Sequence, residues 1–178
     1  MNAVTEKLLN LISDWSGKFT GAFNLREDGQ CAGRQSTKNV KIESKTDVPG
    51  LDIRILPGTR GESVSIPACV THGDVDDLVY NDFYVGQDAD VTIVAGCGVH
   101  TENGEPARHN GVHRFFLEKG AKVKYLEKHI GTGGEGIRSI DPVTEAALER
   151  DAVLEMDTVQ LGGVDRSVRK TEAALEAG

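Results

Sequence analysis

A thiol, two imidazoles and a carboxylate are the side chains best suited to chemistry here, and they lie between positions 97 and 129. Cys97 ends the run "ADVTIVAGC", and His109, Glu127 and His129 follow it along the chain. A thiolate beside imidazole and carboxylate groups can bind zinc or iron. Alternatively, a protonated histidine lowers the pKa of a neighbouring thiol and makes it a nucleophile or sulfur acceptor. The sequence therefore marks Cys97, His109, His129 and Glu127 as a sulfur-accepting or metal site.

Each of these residues also has a simpler interpretation. Free cysteine is among the residue types most often buried, so Cys97 could fill space in the core. His129 closes a strand and could face solvent at a corner. The segment "GVHTENGEPARHNGVH" has the composition of a return loop, and it carries His100, His109 and His113. On the residues alone, both interpretations stay open.

The elements that would position these residues form a repeat. "FYVGQDADVTIVAGC" (Phe83–Cys97) aligns without gaps on "FFLEKGAKVKYLEKH" (Phe115–His129) at an offset of 32. "AALERDAVLEMDTVQ" (Ala146–Gln160) continues at an offset of 31, and "TEAALEAG" restarts the unit. Upstream, "ESVSIPACV" joins at an offset of 27, which places Val64 on Val91. Each unit contains two alternating strands joined by a tight turn.

Units of two strands without a helix predict an all-β fold, a parallel β-helix with two strands per coil. The 21 glycines suit its many turns. In such a fold Cys97 stacks beside His129 on the next coil, about 4.8 Å away. Cys69 is one residue out of this register and should face the other way. The alternative is an antiparallel sandwich or a cupin-type jelly roll, but a cupin metal site needs a His-x-His pair, which is absent.

The chain divides into residues 1–50, an N-terminal helix and a turn-rich segment, and residues 51–178, the β-helix core. Apolar side chains at helical spacing predict one helix face that ends before Gly17; they are Val4, Leu8, Leu11, Ile12 and Trp15. Asp28-Gly29 is typical of a hairpin turn. The last unit stops at Gly178, a turn position equivalent to Gly120 and Asp151. We therefore expect an incomplete last coil and a C-terminally truncated chain.

Composition narrows the class of protein. The chain has 178 residues and a formal net charge of −8, which argues against nucleic acid as a partner. No apolar run is long enough for a membrane span, and the N-terminus lacks the features of a signal peptide. Three cysteines cannot all pair, as expected in a reducing compartment. We expect a cytoplasmic protein.

The same residues resemble a known family. "NDFYVGQDADVTIVAGCGVH", "HNGVHRFFLEKGAKVKYLEKH" and "DPVTEAALERDAVLEMDTVQLGGVD" are similar to the SufB/SufD family of iron–sulfur cluster assembly scaffolds. The resemblance covers about residues 49–178 and is closest to the short SufB/SufD-like proteins. Its most specific feature is a Gly-Cys pair that ends a strand, with a histidine about a dozen residues later. Cys97 falls on that cysteine and His109 on that histidine.

The resemblance implies a right-handed β-helix and a non-catalytic scaffold subunit of the SUF system. It implies that the cysteine matching Cys97 accepts sulfur, which moves within the β-helix, and that an iron–sulfur cluster is held transiently. Its expected partners are a SufC-type ATPase, a second SufB/SufD-type subunit or a homodimer, and a cysteine desulfurase or sulfur carrier. The ATPase-docking helices of the family have no counterpart before Gly178.

Two other classes of function are compatible with a β-helix. One is a metal-dependent hydrolase or polysaccharide-acting enzyme, which exposes carboxylates and aromatic side chains along an outer groove. Aromatic residues are only 5% of this chain, and no aromatic row suited to sugar stacking is evident. The other is a purely structural β-helix without a metal.

Overall fold

The computed structural model describes residues 1–13 and 15–176, which form one short helix and thirteen strands in two sheets. The helix is α1 (Ala3–Ile12). Sheet A has, in spatial order, β12 (Val153–Gly162), β9 (Lys122–Gly133), β7 (Asp90–Thr101), β5 (Arg60–Val70), β1 (Ala22–Glu27) and β2 (Gln30–Gln35). Sheet B has β13 (Lys170–Leu175), β11 (Val143–Leu148), β8 (Ala107–Leu117), β6 (Val75–Val85), β4 (Gly50–Ile55) and β3 (Val40–Ser44), and the short β10 (Arg138–Ile140) pairs with β8.

The chain winds as a parallel β-helix of about four turns, as the repeat predicts. From β4 onward, successive long strands alternate between sheets B and A, and each pairs in parallel with its equivalents on the neighbouring coils. The offset of 32 is confirmed, since Phe83 pairs with Phe115 and Cys97 with His129. The offset of 31 is confirmed by the pairing of β12 with β9. The antiparallel sandwich and the jelly roll are excluded by this pairing.

The offset of 27 for the upstream strand is wrong by two residues. Val64 pairs with Ile93 rather than Val91, and Ala68 rather than Val70 lies beside Cys97. The register shifts between Arg60 and Glu62, where Gly61 has a φ of 68° and adds one residue to the strand. Because side chains alternate with a period of two, a shift of two residues keeps each on its predicted face. Cys69 accordingly faces away from Cys97, as expected.

The turns repeat as regularly as the strands. One residue in each turn has a positive φ, between 56° and 70°, and these residues are Gly58, Asp88, Gly120 and Asp151. Glycine and aspartate tolerate this left-handed conformation better than most residues. The next residue points into the core and must be small, and Ala89 and Ala121 there are fully buried. The sequence of each turn therefore fixes where the following strand begins.

The first fifty residues also contribute to the two sheets. β1 pairs in parallel with β5, and β3 pairs antiparallel with β4. Asp28 and Gly29, both with positive φ, connect β1 to β2 as the predicted hairpin. The division of the chain after residue 50 stays a prediction. The prediction of an incomplete last coil depends on Gly178, which lies outside the described residues.

Helix α1 covers part of the outer face of sheet A. Its buried side chains are Thr5, Leu8, Leu9 and Ile12. Leu11, predicted on this face, is exposed instead, and Leu9 is buried in its place. The helix ends at Ile12, well before Gly17. No helix among the described residues is long and apolar enough to cross a membrane.

The two glycines that flank Cys97 make this packing possible. A Cβ on Gly96 would lie 2.8 Å from both the Cβ and the carbonyl oxygen of Ile12, and a Cβ on Gly98 would lie 2.9 Å from Leu8. The "GCG" triplet therefore has a structural explanation on one face of β7, where the helix needs a bare backbone. Cys97 itself points to the opposite face, into the β-helix.

We expect Gly96→Ala to lower the free energy of unfolding by about 1–3 kcal/mol, because the added methyl group overpacks the contact between helix and sheet. Gly134→Ala is the matched control, since a Cβ there meets no atom within 4 Å, and its effect should stay within about 0.5 kcal/mol. Urea titrations followed by circular dichroism measure both. Equal stability of the two variants would contradict the close approach of α1 to β7.

Candidate functional site

All four residues of the predicted site lie inside the β-helix. Cys97, His109, Glu127 and His129 are 5%, 2%, 2% and 3% exposed. They occupy the end of the interior where β7 and β9 finish and β6 and β8 begin. The apolar core around Phe83, Phe115 and Tyr125 fills the other end. We call this region the polar chamber and define it by six side chains: Asp77, Cys97, His109, His113, Glu127 and His129.

Sheet A places Cys97, Glu127 and His129 in the polar chamber. Cys97 on β7 pairs directly with His129 on β9, and both side chains point inward. Nε2 of His129 lies 3.2 Å from Oε1 of Glu127, a close charge contact, but it makes no hydrogen bond to any of the described residues. Glu127 also accepts hydrogen bonds from the Tyr125 hydroxyl, at 2.8 Å, and from Arg169. Cys97 thus lies beside a carboxylate–histidine pair.

Sheet B contributes a second carboxylate–histidine pair. Asp77 on β6 pairs with His109 on β8, and Nδ1 of His109 lies 3.0 Å from Oδ2 of Asp77. Arg26 donates to the same carboxylate from Nε at 2.9 and 3.0 Å and from Nη2 at 2.6 Å. With Nδ1 directed to Asp77, the ring presents Nε2 to the interior. This nitrogen is 3.5 Å from the position that a Cβ on Gly111 would take.

A small cavity lies between the two sheets. Its volume is about 20 Å³, and Cys97, His109, His113 and Asn81 are among the side chains that line it. Two of these residues carry a buried atom without a hydrogen-bond partner among the described residues, Oδ1 of Asn81 and Nδ1 of His113. A space above about 10–15 Å³ admits one water-sized group. The cavity can therefore hold one small polar group.

Burial sets the protonation states around the cavity. It raises the pKa of the Cys97 thiol well above its ordinary value, and the Glu127 carboxylate adds to this effect. It lowers the pKa of His113 to about 4, so that ring is neutral near pH 7. Burial opposes ionisation of Asp77 as well, but hydrogen bonds from His109 and Arg26 outweigh it and hold the pKa of that carboxyl well below its usual range. Cys97 is consequently a protonated thiol at rest. This argues against the interpretation of the sequence in which a protonated histidine lowers the pKa of Cys97.

The carboxylate of Glu127 is ionised for the same kind of reason. Burial raises the pKa of this group, yet His129, His113 and Arg169 together lower it well below its usual range. The polar chamber therefore holds two carboxylates, each in contact with an arginine and a histidine. Buried charges of this kind persist only when such partners are present.

Two expectations about the histidines need correction. Gly98 to His113 is not a single return loop, because β7 extends to Thr101 and β8 starts at Ala107. His129 does not face solvent at a corner. His100 is also buried, but on the outer face of β7, where its ring nitrogens lie 2.9 Å from Thr132 and Glu102. It does not belong to the polar chamber.

The sequence interpretation missed Asp77, Asn81 and Arg26 and did not single out His113 as a chamber residue. The offset of 32 already places Asp77 on His109 and Asn81 on His113, so extending that alignment upstream of Phe83 would have found the first two. Arg26 and Arg169 lie in segments without a repeat signal. Among the described residues, no group of three or more His, Cys, Asp or Glu side chains has the geometry to hold a metal ion.

Sequence comparison now supplies the family context. The chain is 32% identical over 89 residues to an iron–sulfur cluster assembly SufBD family protein of Methanothermobacter thermautotrophicus, a match that covers 49% of this chain and 21% of the relative. It is 32% identical over 90 residues to a protein of the same name from Archaeoglobus fulgidus, covering 50% of this chain and 24% of the relative. The chain resembles the SufBD family. The match spans less than a quarter of these SufBD relatives, and no family model or solved structure matches the chain.

We expect only one of the three cysteines to react with the aromatic disulfide DTNB in the native protein. Cys31 is exposed, whereas Cys69 and Cys97 are buried. Burial also raises the pKa of Cys69 to about 12 and that of Cys97 well above its usual value, so both lack the reactive thiolate. The absorbance of the released thiolate should report one thiol natively and three in guanidinium chloride. Cys31→Ser should abolish the native signal, and fast native labelling of Cys97 would contradict the buried placement.

We expect the free energy of unfolding to fall as the pH drops from about 6.5 to 4. His113 stays neutral in the folded protein down to about pH 4, while the unfolded chain binds a proton at about pH 6.5. Over this window the unfolded state holds more protons, so His113 contributes a slope of about 1.4 kcal/mol per pH unit. Urea unfolding across this range should show a shallower slope for His113→Gln. The exposed His72→Gln is the control, and an unchanged slope in His113→Gln would contradict the assignment.

Proposed function

We propose that this chain is a SufBD-type scaffold that accepts sulfur on Cys97 for iron–sulfur cluster assembly. The observation that carries the proposal is the position of Cys97, inward-facing in the polar chamber and in contact with a cavity. The similarity to SufBD family proteins points to the same chemistry. Iron and sulfide are then cargo of the assembly reaction, and the chain acts as a non-catalytic subunit in the cytoplasm.

The cost of burying polar groups supports a function for the polar chamber. A buried charge left without its partner costs several kcal/mol, and a well-packed apolar core of equal volume is often at least as stable. The neighbouring apolar core shows that this β-helix packs aliphatic and aromatic side chains without difficulty. Two ionised carboxylates and three histidines are therefore not needed for packing. Handling a small polar reactant accounts for them.

The burial of Cys97 restricts how sulfur can arrive. Because this side chain is 5% exposed, a cysteine of another protein cannot reach it without an opening of the fold. We propose that sulfur enters as a small persulfide or polysulfide, made available by a cysteine desulfurase or sulfur carrier. Cys97 then holds it as a persulfide inside the β-helix. A SufC-type ATPase and a second SufB/SufD-type subunit, or a second copy of this chain, complete the proposed assembly.

We expect anaerobic incubation with inorganic polysulfide to add one sulfur atom to Cys97. The Cys31→Ser background removes the exposed thiol, and Cys97→Ala should then abolish the mass gain. Cys69→Ala is the matched control, because Cys69 is also buried but packs under α1 on the outer face. Mass spectrometry of the protein after alkylation in denaturant locates the added sulfur. Sulfur on Cys69, or none on either cysteine, would contradict the proposed function.

A further inference from the structure

We propose that the cavity beside Cys97 is a pocket for one sulfur atom, the outer sulfur of a Cys97 persulfide, and that His109 is the base that removes the thiol proton. The inference rests on the proposed function and assigns roles to His109, Asp77 and Asn81. It follows from the size of the cavity, from its unpartnered polar atoms and from the orientation of the His109 ring.

The size of the cavity matches a single added atom. Its volume of about 20 Å³ exceeds the roughly 10–15 Å³ that one water-sized group requires. A sulfur atom bonded to Cys97 Sγ shares part of its volume with that atom and needs little more. The pocket therefore accommodates the added sulfur after the rest of the donor has left.

Two residues that line the cavity carry buried polar atoms that lack a hydrogen-bond partner, and a persulfide would supply one. Oδ1 of Asn81 is a buried acceptor without a donor, and Nδ1 of His113 is likewise unpartnered among the described residues. An S–H group can donate to the amide oxygen, and an ionised sulfur can accept from an imidazole N–H. An apolar cavity would offer neither interaction. Unpartnered buried polar atoms are uncommon in folded proteins and call for such an explanation.

The geometry of His109 suits proton acceptance. Asp77 holds the Nδ1 side of the ring at 3.0 Å and is itself fixed by Arg26, which leaves Nε2 as the basic nitrogen. His109 and Cys97 line the same cavity from opposite sheets. His129 is less suited, because its Nε2 lies against Glu127. Of the other charged or titratable groups, Arg26 and His113 also line the cavity, whereas Asp77, Glu127, His129 and Arg169 interact electrostatically with Cys97 or His113 or both.

The transfer step balances with a persulfide donor R–S–SH as the only co-reactant. Nε2 of His109 takes the proton from Cys97, and Sγ attacks the outer sulfur of the donor. One S–S bond forms between Sγ and that sulfur, while the S–S bond of the donor breaks and its electron pair leaves with R–S⁻. The protonated His109 then returns the proton to R–S⁻. The products are the Cys97 persulfide and R–SH, and no external oxidant or reductant is needed.

Two variants in the Cys31→Ser background test the inference with inorganic polysulfide, for which the leaving group is a shorter polysulfide. His109→Gln can still donate a hydrogen bond to Asp77 but cannot accept a proton, and it should slow persulfide formation on Cys97 at least about tenfold. Asn81→Leu keeps a similar volume and removes the acceptor. It should lower the persulfide yield about fivefold, the ratio that corresponds to one net hydrogen bond. Because Oδ1 of Asn81 has no partner in the resting structure, Asn81→Leu should not lower the melting temperature.

The outcomes separate this inference from the proposed function. Slow loading in His109→Gln, together with reduced yield in a fully stable Asn81→Leu, supports the pocket. If the background protein loads sulfur on Cys97 and both variants load equally fast and fully, the pocket is wrong and the proposed function stands. If the background protein does not load sulfur on Cys97, both are wrong. Gly134→Ala should load like the background and serves as the control for substitution as such.

Discussion

The in-register stacking of parallel strands is the constraint on which the rest of this structure depends. Each inward side chain lies between its equivalents on the coils above and below, and it faces the other sheet across a narrow interior. An apolar side chain needs nothing more from these neighbours than close packing. A polar one must find its hydrogen-bond or charge partner among them, because water does not reach it. The pairs Asp77–His109 and Glu127–His129 meet this requirement within their own sheets.

The same constraint explains why the two faces of β7 have different roles. On the outer face, Gly96 and Gly98 give α1 a flat surface, and the helix covers a part of sheet A that would otherwise be open. On the inner face, Cys97 joins a small apolar cluster with Ala68, Val99 and Ile140 and borders the cavity. The glycines that make the "GCG" triplet conspicuous thus serve packing. The proposed chemistry depends on the cysteine and on residues from three other strands.

The fold could be predicted from the sequence because its determinants are local and periodic. Alternation gave the strands, and the recurrence of Phe83 at Phe115 gave the register of the coils. The upstream register was off by two residues because an alternating pattern fits offsets of 27 and 29 equally well. The polar chamber was only half predictable. The columns within sheet A connect Cys97 to His129. The residues that line the cavity with Cys97 from the other sheet, such as His109 and Asn81, depend on how the two sheets face each other. The periodicity of the sequence does not encode that arrangement.

We propose that sulfur is held inside the β-helix, on Cys97, and not at the protein surface. A crystal of the protein soaked anaerobically in polysulfide, with diffraction recorded at a wavelength where sulfur scatters anomalously, tests it directly. We expect one additional anomalous peak bonded to Sγ of Cys97 and lying in the cavity between Asn81, His109 and His113. An additional peak at Cys31 or Cys69 with none at Cys97 would contradict it.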